Sequence, residues 1–217
     1  RQGLVWILKK LDLSIKMGNR PLLIGITGGI GSGKSLISRI FNTLGVPVYD
    51  TDKRAKWLMA NDPNIKSQLI ELLGSESFID EELNRTFIAR KSFGNDKILA
   101  RLHTIVHPEV GVDFAKWVTL HHESSILLKE SALIFETSSY ADLDQVILVS
   151  SPIKLRIKRV LARDLYRSRE DIEAIISRQK SASETSLLAQ FIVNNDEKDL
   201  LLPQVLSIFK ILISQAD

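Results

Sequence analysis

The chain has 217 residues, 44 % of them hydrophobic and 25 % charged, with a net charge of +3 and no cysteine. That balance suits one α/β body with a sizeable buried core, and it excludes a disulfide framework and any cysteine-based metal site or nucleophile. No apolar run approaches the roughly 18–20 residues of a membrane span, and the mild positive charge suits anionic ligands as well as it suits nucleic acid. The first 16 residues, ahead of Met17, carry a short apolar patch broken by Lys9 and Lys10. They lack the small-residue cleavage signature of a secretory signal. Met17 stands just before the first expected strand and suggests the natural start, so residues 1–16 are read as an extension outside the fold, or else as a helical arm packed on the core; a cytoplasmic setting is expected.

The first strand is expected over "LLIGIT" at 22–27, and a helix over 34–44. Between them lies Gly28-Gly29-Ile30-Gly31-Ser32-Gly33-Lys34-Ser35, which matches the phosphate-loop pattern G-x-x-x-x-G-K-[ST] in its proper strand-to-helix setting. Glycines let the backbone curl until successive N–H groups converge on one anion, and the following helix adds the positive end of its dipole. Lys34 can reach the β/γ-phosphates, and the Ser35 hydroxyl can ligate Mg²⁺.

The second strand, "VPVYD" at 46–50, ends in Asp50, with Asp52 two residues on. In a parallel sheet the carboxyl ends of the strands face the same crevice as the phosphate loop. A carboxylate there can accept the proton of an attacking hydroxyl, or steady Mg²⁺ through a water. Spacing alone leaves a second reading open, in which both acids cap the strand end or pair with Lys53 and Arg54.

Residues 51–124 are too many for one crossover helix. "DPNIKSQLIELLG", "DEELNRTFIARKSFG" and "NDKILARLHTIVHPEVGVDFAKWVTLHH" each show helical spacing, broken at Asp62–Pro63, Gly74 and Gly94–Asn95. This reads as an inserted helical subdomain, about 53–123, with Trp57 and Trp117 taken as core. His103, His121 and His122 are taken as surface or helix-packing residues.

Strands follow at 125–131, 145–150 and 190–195, with helices over 152–165, 169–180 and 199–214. The third strand ends in Glu130 and Ser131, not in the aspartate of a motor ATPase, and no D-x-x-G or N-K-x-D element is present. A switch or a motor is therefore disfavoured, and a kinase remains. "KLRIKRVLARDLYRSRE" at 154–170 is strongly basic, with Arg159 and Arg163 four apart on one helix face. It reads as a closing lid, about 154–187, or as a solvated basic helix. With only Tyr166 interleaved, a nucleic-acid surface is not expected. The fold class is thus α/β: a five-stranded parallel sheet with helices on both faces, plus an inserted helical domain and a lid, the core lying at about 20–52, 124–153 and 188–217.

In this order, "GITGGIGSGKS" at 25–35, "LGVPVYDTDKRAK" at 44–56, "NRTFIARKSF" at 84–93, "LHTIVHPEV" at 102–110, "LIFE" at 133–136, "IKRVLARD" at 157–164 and "IVNND" at 192–196 resemble the dephospho-coenzyme A kinase family. The resemblance covers about Leu22 to Leu212, so that residues 17–217 would form one kinase domain. It implies Mg²⁺-dependent transfer of the ATP γ-phosphate to the ribose 3′-hydroxyl of dephospho-coenzyme A. Asp52 would be the base, with Asp50 beside it on the substrate side. Lys34 would serve the phosphates, and Thr27 through Leu36 (Thr27, Gly28, Gly29, Ile30, Gly31, Ser32, Gly33, Lys34, Ser35, Leu36) would line the nucleotide. Arg159 would be the lid arginine with Arg163 its neighbour, Asn195 would border adenine, and Arg85 and His107, at a His-Pro turn, would serve the substrate domain. No nucleic-acid or membrane partner is implied, and a monomer is compatible with the sequence. Two positions depart from the family pattern: Ala132 where proline is common, and Asp196 where glycine is common.

Overall fold

A computed structural model describes residues 20–92, 94–137 and 139–216; the extension proposed for 1–16 lies outside the described residues. Strands β1 (Leu22–Thr27), β2 (Val48–Asp50), β5 (Ile126–Glu130), β6 (Gln145–Ser150) and β7 (Phe191–Asn194) form one sheet. All pairings in it are parallel, in the order β2-β5-β1-β6-β7. The expected five-stranded parallel sheet is therefore present. Because β1 is central, the segment that leaves its carboxyl end emerges over the middle of the sheet, where strand order reverses.

The strand interiors are apolar because helices cover them. Ile24, Ile26, Leu128, Ile147, Val149 and Val193 pack with Ile37 and Phe41 of α1 (Lys34–Thr43) and with Val205, Ile208 and Leu212 of the last helix, Leu201–Ala216. Each such side chain stabilises the fold by about 1.5–3 kcal/mol relative to exposure. Ile37 and Phe41 are four apart on one face of α1, so a single stripe meets the sheet.

The described residues fold as two compact units: one contains those of 20–50 and 117–216, and the other is Thr51–Lys116. Thr51–Lys116 holds α2 (Thr51–Asn61), α3 (Pro63–Leu73), β3 (Phe78–Ile79), β4 (Glu82–Leu83), α4 (Arg85–Ser92) and most of α5 (Asp96–Leu120). Asp62 caps α3 by accepting from the N–H groups of Asn64 and Ile65, with Pro63 at the first helical position.

Three expectations about this region need correction. "DEELNRTFIARKSFG" is not helical throughout: Asp80 and Glu81 take positive φ, and β3 and β4 pair antiparallel around them. Pro108 makes no turn; it lies inside α5, at the cost of one backbone hydrogen bond. Trp57 is 50 % exposed rather than core, its ring against the Arg54 guanidinium at 4.5 Å, while Trp117 is half-buried against Tyr49.

The expected helix over 169–180 is shorter and followed by another. In chain order α6 is Ile153–Arg163, α7 is Arg169–Ser177, α8 is Ala182–Leu188 and α9 is the last helix named above. Ser168 and Ser181 each form a capping box, with Asp171 and Glu184, which is why α7 and α8 start where they do. Among the described residues, no helix is long and apolar enough to cross a membrane.

Candidate active site

The turn between β1 and α1 is built from glycines that cannot be replaced without a clash or strain. Gly31 has φ +76° and Gly33 φ +98°. A Cβ on Gly31 would stand 2.5 Å from the Arg156 carbonyl oxygen, and one on Gly33 would collide with Asn195 Nδ2. Gly33 precedes α1 without any side-chain cap, so the first N–H groups of the helix are left for an anion. Lys34 Nζ donates to Gly28 O at 2.8 Å and lies 3.5 Å from Gly29 O. Ser32 Oγ is buried and has no hydrogen-bond partner among the described residues. An orphan hydroxyl, a lysine folded over the loop and uncapped helix N–H groups together fit a polyphosphate.

Oxygen donors that could hold a metal lie beside it. The Ser35 hydroxyl donates to Glu130 Oε1 at 2.7 Å. Its proton is thereby engaged and its lone pairs remain for a hard cation such as Mg²⁺. Asp50 is the register partner of Glu130 across β2 and β5, so two carboxylates end adjacent strands on the same pleat. Among the described residues no group of three His, Cys, Asp or Glu could hold a metal ion alone; this set fits an ion that arrives on a nucleotide and keeps phosphate and water ligands. Glu130 was missed in the sequence because an aspartate was sought there. The signal was available: a buried acid ending an apolar strand next to the phosphate loop's serine.

Asn195 and Arg159 close the other side. Asn195 Nδ2 donates to Ser32 O at 2.8 Å, and Asn195 N continues the β6–β7 pairing onto Ser150 O. Arg159 donates to Ser151 Oγ, to the backbone O and Oδ1 of Asn195, and to Glu197 Oε1, at 3.1 to 3.3 Å. Its guanidinium is committed to this loop. Arg163 instead forks onto Asp164 at 2.7 and 2.9 Å with its side chain 65 % exposed, and the pairing raises its pKa while lowering that of Asp164. Asp196 accepts from the N–H groups of Lys198 and Asp199, and these bonds hold its carboxyl below the usual range. The aspartate that departs from the family pattern thus shapes the turn by its own side chain.

The cleft next to the loop is a cavity of about 130 Å³ whose wall includes Thr27, Gly28, Gly29, Ser32, Ala132 and Arg156. Arg156 donates through Nε to Ile30 O and through Nη2 to Gln179 Oε1, both at 2.9 Å, and Gln179 Oε1 also accepts from Ile30 N at 3.1 Å. Leu36, at the start of α1, is 40 % exposed.

Asp52, Arg85 and His107 all belong to Thr51–Lys116. Asp52 does not end the strand but lies in the first turn of α2, where a carboxylate complements the helix dipole. Arg85 opens α4 and is exposed. His107 is exposed on α5 and stacked on His103, ring centroids 4.7 Å apart.

Residues 22–200 match the family model described as dephospho-CoA kinase. A dephospho-CoA kinase of Porphyromonas gingivalis is 39 % identical over 189 residues, covering 87 % of this chain and 93 % of that protein. One from Bacteroides fragilis is 36 % identical over 189 residues, covering 87 % and 92 %. Among solved structures, a Thermus thermophilus protein aligns with TM-score 0.77 at 29 % identity, covering 91 % of this chain and 98 % of that one. A dephospho-CoA kinase from Campylobacter jejuni aligns with TM-score 0.65 at 21 % identity, covering 89 % and 98 %, which speaks to the fold.

Proposed function

The chain belongs to the dephospho-CoA kinase family, and from that premise we propose how its residues transfer the ATP γ-phosphate to the ribose 3′-hydroxyl of dephospho-CoA to give coenzyme A. The 3′-oxygen forms a bond to the γ-phosphorus as the bond from that phosphorus to the β–γ bridging oxygen breaks. ADP leaves with the electron pair. The hydroxyl proton passes to the Asp52 carboxylate. Such a transfer needs alignment and charge neutralisation more than covalent help.

The phosphate loop supplies both. Its N–H groups and Lys34 take the charge of the polyphosphate, and charge-assisted hydrogen bonds of this kind are the strong ones. Mg²⁺, arriving with ATP, would supply charge neutralisation at the phosphate oxygens. Ser35 would hold it, with Glu130 orienting the Ser35 hydroxyl and Asp50 and Asp52 reaching it through water. Arg159 is assigned to positioning: it fixes the Asn195 loop, and that loop borders adenine. Arg85 and His107 are assigned to the acceptor.

The observation that carries this reading is the glycine cradle under Lys34, joined to the Ser35–Glu130 contact. Its test is a panel of dephospho-CoA, AMP, uridine and shikimate, each supplied with Mg-ATP and assayed for ADP and phosphorylated product. Dephospho-CoA should be consumed and the others left. Consumption of uridine or shikimate at a comparable rate would overturn the assignment. Within the same assay, Asp52→Asn should lose roughly 10²-fold in turnover, the size typical of a positioned acid–base group, with ATP affinity nearly unchanged. Parental turnover in that variant would remove Asp52 as the base.

A further inference from the structure

Arg156 has no part in the scheme above, yet its side chain reaches the phosphate loop at Ile30 and Gly29. Its guanidinium fills the space where a Cβ on Gly29 would stand, with Nη1 2.7 Å from that point and Nη2 closer still. Lys34 Nζ lies 3.5 Å from Gly29 O. Two cations therefore meet at one glycine.

Among the described residues, Arg156 bonds only to the neutral oxygens of Ile30 and Gln179, and no carboxylate pairs with it. These two bonds use Nε and Nη2 and lock the plane of the guanidinium. Nη1 makes no hydrogen bond to any described residue, and Arg156 lines the cavity with Thr27, Gly28, Gly29 and Ser32. Burial pushes the Arg156 pKa down, as expected of a cation withdrawn from water with no acid beside it. Glu136 is the acid in the cavity wall, and one of its oxygens accepts from Lys180 N at 3.1 Å.

We propose that Arg156 is a second cation on the γ-phosphate of ATP, held opposite Lys34 across Gly29. The loop's N–H groups cradle the inner phosphates, and its lysine reaches the β/γ end. A guanidinium that shares a glycine with that lysine therefore faces the outermost phosphate. Each Nη1 hydrogen aimed at a phosphate oxygen completes a donor set that the fold otherwise leaves unfilled. The role differs from that of Arg159 one turn along α6, whose donors are spent on Ser151, Asn195 and Glu197.

The inference rests on the loop being an ATP site, and the experiment separates the two. Binding of ATP and of ADP, each with Mg²⁺ and without acceptor, is measured by calorimetry on the full chain. In Arg156→Ala, ATP should bind roughly tenfold to a hundredfold more weakly, the range for one charge-assisted contact, with ADP within about twofold of the parent. Arg156→Lys should recover part of the ATP affinity, and millimolar guanidinium should raise turnover of the alanine variant. Arg156→Gln can keep a bond to Ile30 O without the charge, so it guards against loss of the fold; it should show the same selective loss of ATP. Equal loss of ATP and ADP, or parental ATP affinity in the glutamine variant, overturns the role of Arg156 alone. A parent protein that binds neither nucleotide overturns the site itself.

Discussion

The phosphate-loop region and the unit Thr51–Lys116 use their long basic side chains differently. Around the loop, long side chains grip main-chain atoms: Lys34 holds Gly28 O, Arg156 holds Ile30 O, Asn195 holds Ser32 O, and Arg159 holds Asn195 O. In Thr51–Lys116, several polar contacts join side chains near water. Arg54 forks onto Asp113 at 2.8 and 2.5 Å, Lys66 meets Glu81, and Asn64 Nδ2 reaches Glu109 at 3.3 Å. The first pattern fixes a backbone shape and leaves little tolerance. The second consists of partly exposed pairs, each worth about 0–1 kcal/mol. The main-chain grips lie at the phosphate loop, and the looser surface pairs lie in the unit to which the proposal assigns the acceptor.

The strongest way to break this contrast is at Gly33. Gly33→Ala forces a side chain into φ +98° and against Asn195 Nδ2. The strain is on the order of 1–3 kcal/mol, and relief would have to come from moving the loop or Asn195. Calorimetry should show ATP binding at least tenfold weaker, with a lowered unfolding midpoint. Gly45→Ala is the control: φ is +88° there too, but no atom lies within 4 Å of the new Cβ. It should lose stability and keep ATP affinity. If both variants bind ATP alike, the close approach of Asn195 to Gly33 does not shape the ATP site.

Asn195→Ala comes next in size. The change leaves Ser32 O and one Arg159 nitrogen without the Asn195 side chain, and a buried unmet partner costs about 1–3 kcal/mol. Chemical denaturation should show that loss. ATP affinity should fall further in Asn195→Ala than in Asn195→Asp, which can still accept from Arg159. The reverse order would mean that the Arg159 contact contributes nothing to the shape of the loop.

The sequence made the loop, the strands and the nucleotide end legible because each depends on local rules. Eight residues of fixed type between an apolar strand and an amphipathic helix admit one conformation, and β-rich runs such as "QVILVS" can only be buried. What stayed hidden depends on partners far along the chain. Glu130 gains meaning only when β5 lies next to β1 and carries it to Ser35, 95 positions away. Arg156 looked like one of seven cations in a basic stretch, because nothing local says which of them turns inward. The hairpin at Phe78–Leu83 was hidden by helix-forming residues, since Asp80 and Glu81 adopt positive φ without a glycine to announce it. Pro108 misled in the opposite sense: α5 continues through it because burial of Leu102, Ile105, Val106, Val110 and Phe114 on the same helix outweighs the roughly 3 kcal/mol that an interior proline costs.

The smallest expected effect lies in Thr51–Lys116 and depends on pH. His103 is half-buried on α5 with His107 stacked on it, and burial holds its pKa below the ordinary histidine value. In the unfolded chain the imidazole takes up its proton near pH 6.5; in the folded chain it does so only at lower pH. Below about 6.5 the unfolded state therefore holds more protons, and stability falls as pH drops toward the folded value. Above that window both states are neutral and His103 has no effect on the slope. His103→Gln removes the titration. Its unfolding midpoint should decline less than the parent's between pH 7.5 and 5.5, while ATP affinity, set by main-chain contacts around the phosphate loop, stays parental across the same range. Parallel midpoint curves would show that the histidine pair is hydrated enough to titrate alike in both states, and would weaken the contrast between a rigid nucleotide end and a pH-responsive insertion.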